Sequence, residues 1–240
     1  MLFLGAVTIR SNVYVDGFNL YYGAVKNTSY KWLDIAELCR QVLPSITINR
    51  IRYFTALVKA NPADPQITQR QQFYIRALET IPNLTVHYGH FLQSVVPMML
   101  ASPPAAGSPI VRVRKMEEKG SDVNIATYML TDAFRNDCDQ LIVITNDSDL
   151  AEPIRIINKE LKIPVGVLNP HTQDTADRRH RLSGRAGSPP KATPSVELRK
   201  YARFVREIRS EGPRSHVALS QFPPQLHDAQ GRILKKPALW

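Results

Sequence analysis

Four aspartates stand where this chain could do chemistry: Asp16, Asp122, Asp147 and Asp149. Asp16 closes a short β-rich run, residues 11–15, and Asn19 lies three residues further on. Asp147 and Asp149 directly follow the apolar run Leu141-Ile142-Val143-Ile144-Thr145. Asp122 opens the most regular helical pattern of the chain, and its i, i+4, i+7 relation to Ala126 and Met129 puts it on the apolar stripe. A carboxylate on a buried face is costly unless it is paired, protonated or bound to a cation. Carboxylates gathered together repel one another, and a divalent cation that prefers hard oxygen ligands, Mg²⁺ or Mn²⁺, removes that repulsion. A metal held this way polarises a phosphodiester and lowers the pKa of an attacking water. The same residues also have plainer uses. Asp16-Gly17 is a turn signal, and Asp122, Asp147 and Asp149 are each of a type that caps a helix.

The elements that must position these residues alternate between strand and helix. Strand-like runs at 11–15, 50–57, 84–91, 141–145 and 163–168 are separated by helical periods at 32–43, 66–80, 121–135 and after Leu150. In the helix at 121–135, Ala126, Met129, Leu130, Ala133 and Phe134 form the expected buried stripe. Alternation of this kind argues for a parallel α/β sheet. The fully apolar 141–145 run fits a strand covered on both faces. In such sheets ligands sit outside the carboxyl ends of the strands, where Asp16, Asp147 and Asp149 fall. Residues 92–116 interrupt the rhythm with two strand-like runs around Ala101–Pro109, which reads as a β-hairpin excursion. Its second arm carries Arg112, Arg114 and Lys115.

The chain has 240 residues and a net charge of +10. Residues 1–170 hold 17 Lys/Arg against 15 Asp/Glu, whereas 171–240 hold 14 against 6. The body is nearly neutral and the tail is basic, which suits phosphate binding or solubility alike. Two cysteines exclude a disulfide scaffold and match no zinc motif; buried free thiols in a cytoplasmic protein are expected. No run is long and apolar enough to span a membrane, and the first ten residues lack the basic segment of a signal peptide. The organisation expected is a domain over 11–170, a Pro/Gly/Ser-rich linker over 171–195, and a basic amphipathic helix with a Pro-rich tail over 196–240.

Three motifs then point to a family. Val13-Tyr14-Val15-Asp16-Gly17-Phe18-Asn19 resembles the opening motif of NYN-domain proteins, the bacterial LabA/DUF88 group of the PIN-like nuclease superfamily. Glu118-Lys119-Gly120-Ser121-Asp122-Val123 is similar to the family's second motif, and Thr145-Asn146-Asp147-Ser148-Asp149-Leu150 to its third. Asn146 stands where a small residue is common, and Leu150 replaces the usual Phe. The resemblance covers about residues 11–170. It implies a three-layer α/β/α fold around a mostly parallel sheet and metal-dependent hydrolysis of RNA, expected to be single-stranded. Carried over by position, Asp16, Asp122 and Asp147 would ligate Mg²⁺ or Mn²⁺. Asp149 would be a further ligand or support one, and Asn19 would orient a ligand or touch a phosphate. Lys119, Arg112, Arg114 and Lys115 would hold the RNA backbone, and a homodimer is expected by analogy with the fold. The alternative is a non-catalytic nucleic-acid-binding module that keeps its acids for metal-linked stability. A phosphatase of the haloacid dehalogenase type also places an Asp after its first strand, but it needs a second two residues on, where this chain has Phe18.

Other polar and aromatic residues are assigned to the framework. Glu117 and Glu118 are expected as surface charges, Tyr21 and Tyr22 as core aromatics rather than base-stacking platforms, and His87 and His90 as structural. Met98 and Met99 are expected to pack. Asp132 falls on a different helix face from Asp122 and is set aside.

Overall fold

A computed structural model describes residues 9–26, 28–60, 62–102, 107–171, 193–208, 220–238 and 240. Six strands form a sheet in the order β3-β2-β1-β6-β7-β8, every neighbouring pair parallel. They are β1 (Arg10–Asp16), β2 (Thr47–Thr55), β3 (Leu84–Tyr88), β6 (Gln140–Ile144), β7 (Val165–Asn169) and β8 (Phe204–Glu207). All five residues of β6 and all five of β7 are buried, as strands covered on both faces must be. Two apolar clusters flank the sheet. One is built on Val13, Val15, Trp32, Leu38 and Leu78, under α2 (Ile35–Val42) and α3 (Ile67–Leu78). The other is built on Tyr14, Ile125, Met129, Val143 and Ile154, under α4 (Ser121–Phe134) and α5 (Ala151–Lys159). This is the expected three-layer α/β/α fold.

Chain order reverses between β1 and β6. From β1 the sheet grows one way to β2 and β3, and from β6 the other way to β7 and β8. The crevice outside the carboxyl ends of β1 and β6 is therefore the switch point at which open α/β sheets bind ligands. The expected excursion is an antiparallel hairpin of β4 (His90–Met99) and β5 (Ile110–Lys119). Four residues of its tip, 103–106, lie outside the described set. Met98 and Met99, expected to pack, are exposed on this arm.

Two expectations about elements need correction. The buried face of α4 is Ser121, Ile125, Met129, Asp132 and Ala133, and Phe134 is 77% exposed. The stripe is rotated because a buried acid occupies a core position. Asp132 is 2% exposed and accepts from Arg52 Nε at 2.8 Å, Arg52 Nη2 at 2.9 Å and the Tyr14 hydroxyl at 2.7 Å. Hydrophobic periodicity counts such a residue as solvent-facing. The basic segment after Ser195 is also not one helix. Helix α6 (Val196–Tyr201) is followed by β8, which extends the sheet beside β7. Phe204 covers Gly166, where any Cβ would collide with its ring. Residues 172–192, most of the expected linker, lie outside the described set.

The last described segment folds back on the domain. Trp32 Nε1 donates to the Pro223 carbonyl at 3.0 Å, and the Trp32 ring meets Phe222 and Trp240 edge-on. A small hairpin of β9 (Gln225–His227) and β10 (Ile233–Lys235) is pinned to α3 by an Arg76–Asp228 ion pair at 2.5 Å. Both cysteines are free and buried, as expected. Among the described residues no helix is long and apolar enough to cross a membrane.

Candidate active site

The first acid is placed by the end of a buried strand. Asp16 is 5% exposed. Its Oδ1 accepts from the Asn19 amide at 2.9 Å and so caps α1 (Gly17–Leu20), which continues as a wide turn through Val25. Its Oδ2 accepts from the Thr145 hydroxyl at 3.1 Å. Helix α1 lies so close on β2 that a Cβ on Gly17 would stand 2.6 Å from the Phe54 carbonyl oxygen, which is why glycine follows the acid. Burial first, and then the charges of Asp122 and Asp147, against the lowering by its two hydrogen bonds, bring the Asp16 carboxyl up to about 7.

The second acid is placed by a left-handed glycine. Gly120 has φ +96° and turns β5 sharply into α4. Glu118 accepts from the Ser121 hydroxyl at 2.8 Å and so anchors this helix start. It is half-buried, not the plain surface charge expected. Asp122 is half-buried at the edge of the α4 face. Burial, then the negative charges of Asp147, Glu118 and Asp149, lift its carboxyl to about 6. The third segment is a single turn after β6. Asp147 caps it by accepting from the Asp149 amide at 3.0 Å, and its own amide donates to the Thr145 hydroxyl at 3.1 Å. Asp149 is exposed at the rim.

The capping roles and the convergence of acids therefore coexist. Asp16, Asp122, Asp147 and Asp149 come from three segments that meet at the switch-point crevice, where the charges of Asp122 and Asp147 act on Asp16 and those of Asp147 and Asp149 on Asp122. They are near enough to repel, yet among the described residues no three His, Cys, Asp or Glu side chains close into a ready metal cage. Their oxygen-only donor set, with the carboxyls of Asp16 and Asp122 raised, suits a hard divalent cation, of which Mg²⁺ in particular retains several waters and needs only one or two carboxylates.

Sequence reasoning missed Thr145, whose one hydroxyl links Asp16 to the Asp147 turn. It also missed the work of Asn146. The Asn146 amide donates to Asn19 Oδ1 at 3.0 Å, its side-chain nitrogen meets His171 Nδ1 at 3.0 Å, and its Oδ1 accepts from the Ser195 amide at 2.7 Å. The residue that departs from the family pattern ties α1, the end of β7 and the start of α6 together. Asn19 is thus held in the site, with its oxygen committed to the framework.

The four basic candidates separate by face. Strand alternation puts Arg112 and Arg114 on the side of Glu118, and Lys115 and Lys119 on the other. Lys115 and Lys119 both pair with Glu117, at 2.6 and 3.7 Å. Phe91, opposite Glu118 on β4, meets Phe18 edge-on at 5.8 Å, so the Glu118 side of the arm is the one turned toward the crevice. His87 stacks on Phe54 at 5.0 Å, in the framework as expected.

A 6-hydroxy-3-succinoylpyridine 3-monooxygenase of Pseudomonas putida is 26% identical over a 261-residue alignment covering 99% of this chain and 77% of that protein. The crystal structure of a Vibrio parahaemolyticus protein of unknown function has a TM-score of 0.48 at 16% identity, covering 85% of this chain and 94% of its own. The NYN domain model matches residues 10–181, most of the chain and all three acidic segments. The chain belongs to the NYN-domain family, a branch of the PIN-like superfamily whose members are generally nucleases.

Proposed function

We propose that this protein is a metal-dependent ribonuclease acting on single-stranded RNA. The observation that carries the proposal is the convergence of Asp16, Asp122, Asp147 and Asp149 at the switch point, with two of them held near neutrality by burial and mutual repulsion. Mg²⁺ or Mn²⁺ bound there would supply charge neutralisation and a water acidified for attack on phosphorus. Asp16, Asp122 and Asp147 would hold the ion, with Asp149 at the rim contributing through water. The chain's own work is positional. Thr145 fixes the Asp16 carboxylate and the Asp147 turn, and Gly120 with Glu118 sets the angle at which Asp122 enters. Arg112 and Arg114 offer the RNA backbone a row of positive charge running away from the crevice.

The test is cleavage of mixed single-stranded RNA and DNA with Mn²⁺, with Mg²⁺ and with chelator, wild type beside Asp16→Asn/Asp147→Asn prepared identically. Metal-dependent cutting of RNA by wild type alone is expected. Cutting retained by the variant, or persisting in chelator, would overturn the proposal. RNA binding without turnover would favour the non-catalytic module instead.

The Pseudomonas putida relative favours a second reading, because its similarity runs through nearly the whole chain, tail included. That relative is named as an oxygenase of a hydroxylated pyridine. On that reading the chain acts on a small heteroaromatic compound, and consumption of 6-hydroxy-3-succinoylpyridine with dioxygen and a reductant supplied would be the observation in its favour.

A further inference from the structure

Beside the acids lies a second concavity that phosphodiester hydrolysis does not require. It sits outside the ends of β1 and β2 and is bounded by Phe18, Tyr21, Tyr22, Tyr53, Tyr74 and Trp240. Its empty space, counted out to the open mouth, is about 690 Å³. That is the size of a small-molecule site, ~300–1,000 Å³, rather than of a groove for a polymer. The walls hold one another in place. Tyr53 and Trp240 each meet Tyr74 edge-on, at 6.4 and 5.8 Å, and Phe18 stacks with Tyr22 at 6.5 Å.

Two polar groups of this lining are spent on the framework. The Tyr74 hydroxyl donates to the Leu33 carbonyl at 2.9 Å. Both ends of the Gln71 amide are engaged, with the Val58 amide and the Ala56 carbonyl. Tyr53 differs. It is 7% exposed, and among the described residues its hydroxyl makes no hydrogen bond. That hydroxyl lies 2.8 Å from where a Cβ on Gly17 would be, so the glycine that packs α1 on β2 also leaves the phenol room to face the void. The hydroxyl is reached from the void, and a ligand acceptor there would take its hydrogen bond. At the rim Lys31 is half-exposed and pairs with no acid among the described residues. Tyr53 feels the charge of Asp16, which places the phenol between the pocket and the acids.

We propose that this pocket binds a planar heteroaromatic ring bearing an anionic group: the ring stacks among the tyrosines, an acceptor on it takes the Tyr53 hydroxyl, and the anion faces Lys31. The ring is the base of a nucleotide or a free aromatic acid. The site stands whether or not the acids cut RNA.

The experiment is calorimetric titration of the full chain with AMP, with nicotinate and with inorganic phosphate, repeated on Tyr53→Phe, Lys31→Gln and Asp16→Asn/Asp147→Asn. Binding of AMP or nicotinate but not of phosphate is expected. Tyr53→Phe should weaken it about tenfold, the worth of one buried hydrogen bond. Lys31→Gln should weaken it less, and the double aspartate variant should keep it. AMP alone would identify the ligand as a nucleotide, nicotinate alone as a free aromatic acid; either supports the site. Failure of both ring compounds to bind, or binding indifferent to Tyr53→Phe, would overturn it. Because the aspartate variant retains the pocket, loss of cleavage and loss of ring binding are read separately.

Discussion

At the scale of single residues, Asp16 is pulled two ways. It caps α1 and anchors Thr145, and it is also the most deeply buried acid of the crevice. Its carboxyl rests at about 7 in the fold, against a normal aspartate range near 4 when unfolded. Between those values the folded state holds the proton and the unfolded state does not, so stability falls as pH rises through that window. At pH 8 in chelator this penalty is on the order of a few kcal/mol. Asp16→Asn, which keeps a capping side chain, is therefore expected to raise the melting temperature of the metal-free protein at pH 8 and to change it little at pH 4. Equal melting temperatures at pH 8 would show that Asp16 is not strained in the fold. Added Mn²⁺ should narrow the gap by stabilising wild type. The acids were legible in the sequence because three separate segments deliver them to the ligand-binding edge of a parallel sheet, which capping alone does not require. Thr145, Asn146, Glu118 and Asp132 were not, because each acts through a partner far along the chain or on another element, and no local pattern encodes that partner.

Among the elements, the β4–β5 arm divides its charges by strand alternation. Arg114 lies four residues from Glu118 and Arg112 six, so at ~3.3 Å per residue the basic row reaches roughly 20 Å from the crevice. Each phosphate neutralised on a single strand contributes ~0.7 to the slope of log affinity against log salt. Arg112→Ala/Arg114→Ala is expected to lower that slope for single-stranded RNA by about 1.4, while Lys115→Ala, already paired with Glu117, should lower it little. An unchanged slope in the double variant would remove the arm from the nucleic-acid interface. The strand and helix alternation was readable because buried parallel strands and amphipathic helices have distinct periods. Strand β8 was hidden because its segment, Phe204–Glu207, carries on the basic, helix-like spacing of α6 and forms only against the edge of β7.

Across the whole molecule, the central strand is the first one made. Strand β1 finds β2 within the next forty residues, but its other neighbour is far away: the Arg10 amide meets Asp139, 129 positions on, where the β1–β6 pairing begins. At synthesis rates of ~5–20 residues per second, β1 waits on the order of ten seconds with one edge open. The crevice is assembled later still, since Asn146 is tied to Ser195. Closing so long a loop also slows refolding of the finished chain, which should run in milliseconds to seconds rather than microseconds; a stopped-flow trace complete within its dead time would contradict that. The strand that delivers Asp16 is thus an exposed, sticky edge for about half of the time the chain is being made, and shielding it falls to whatever chaperones meet the nascent chain.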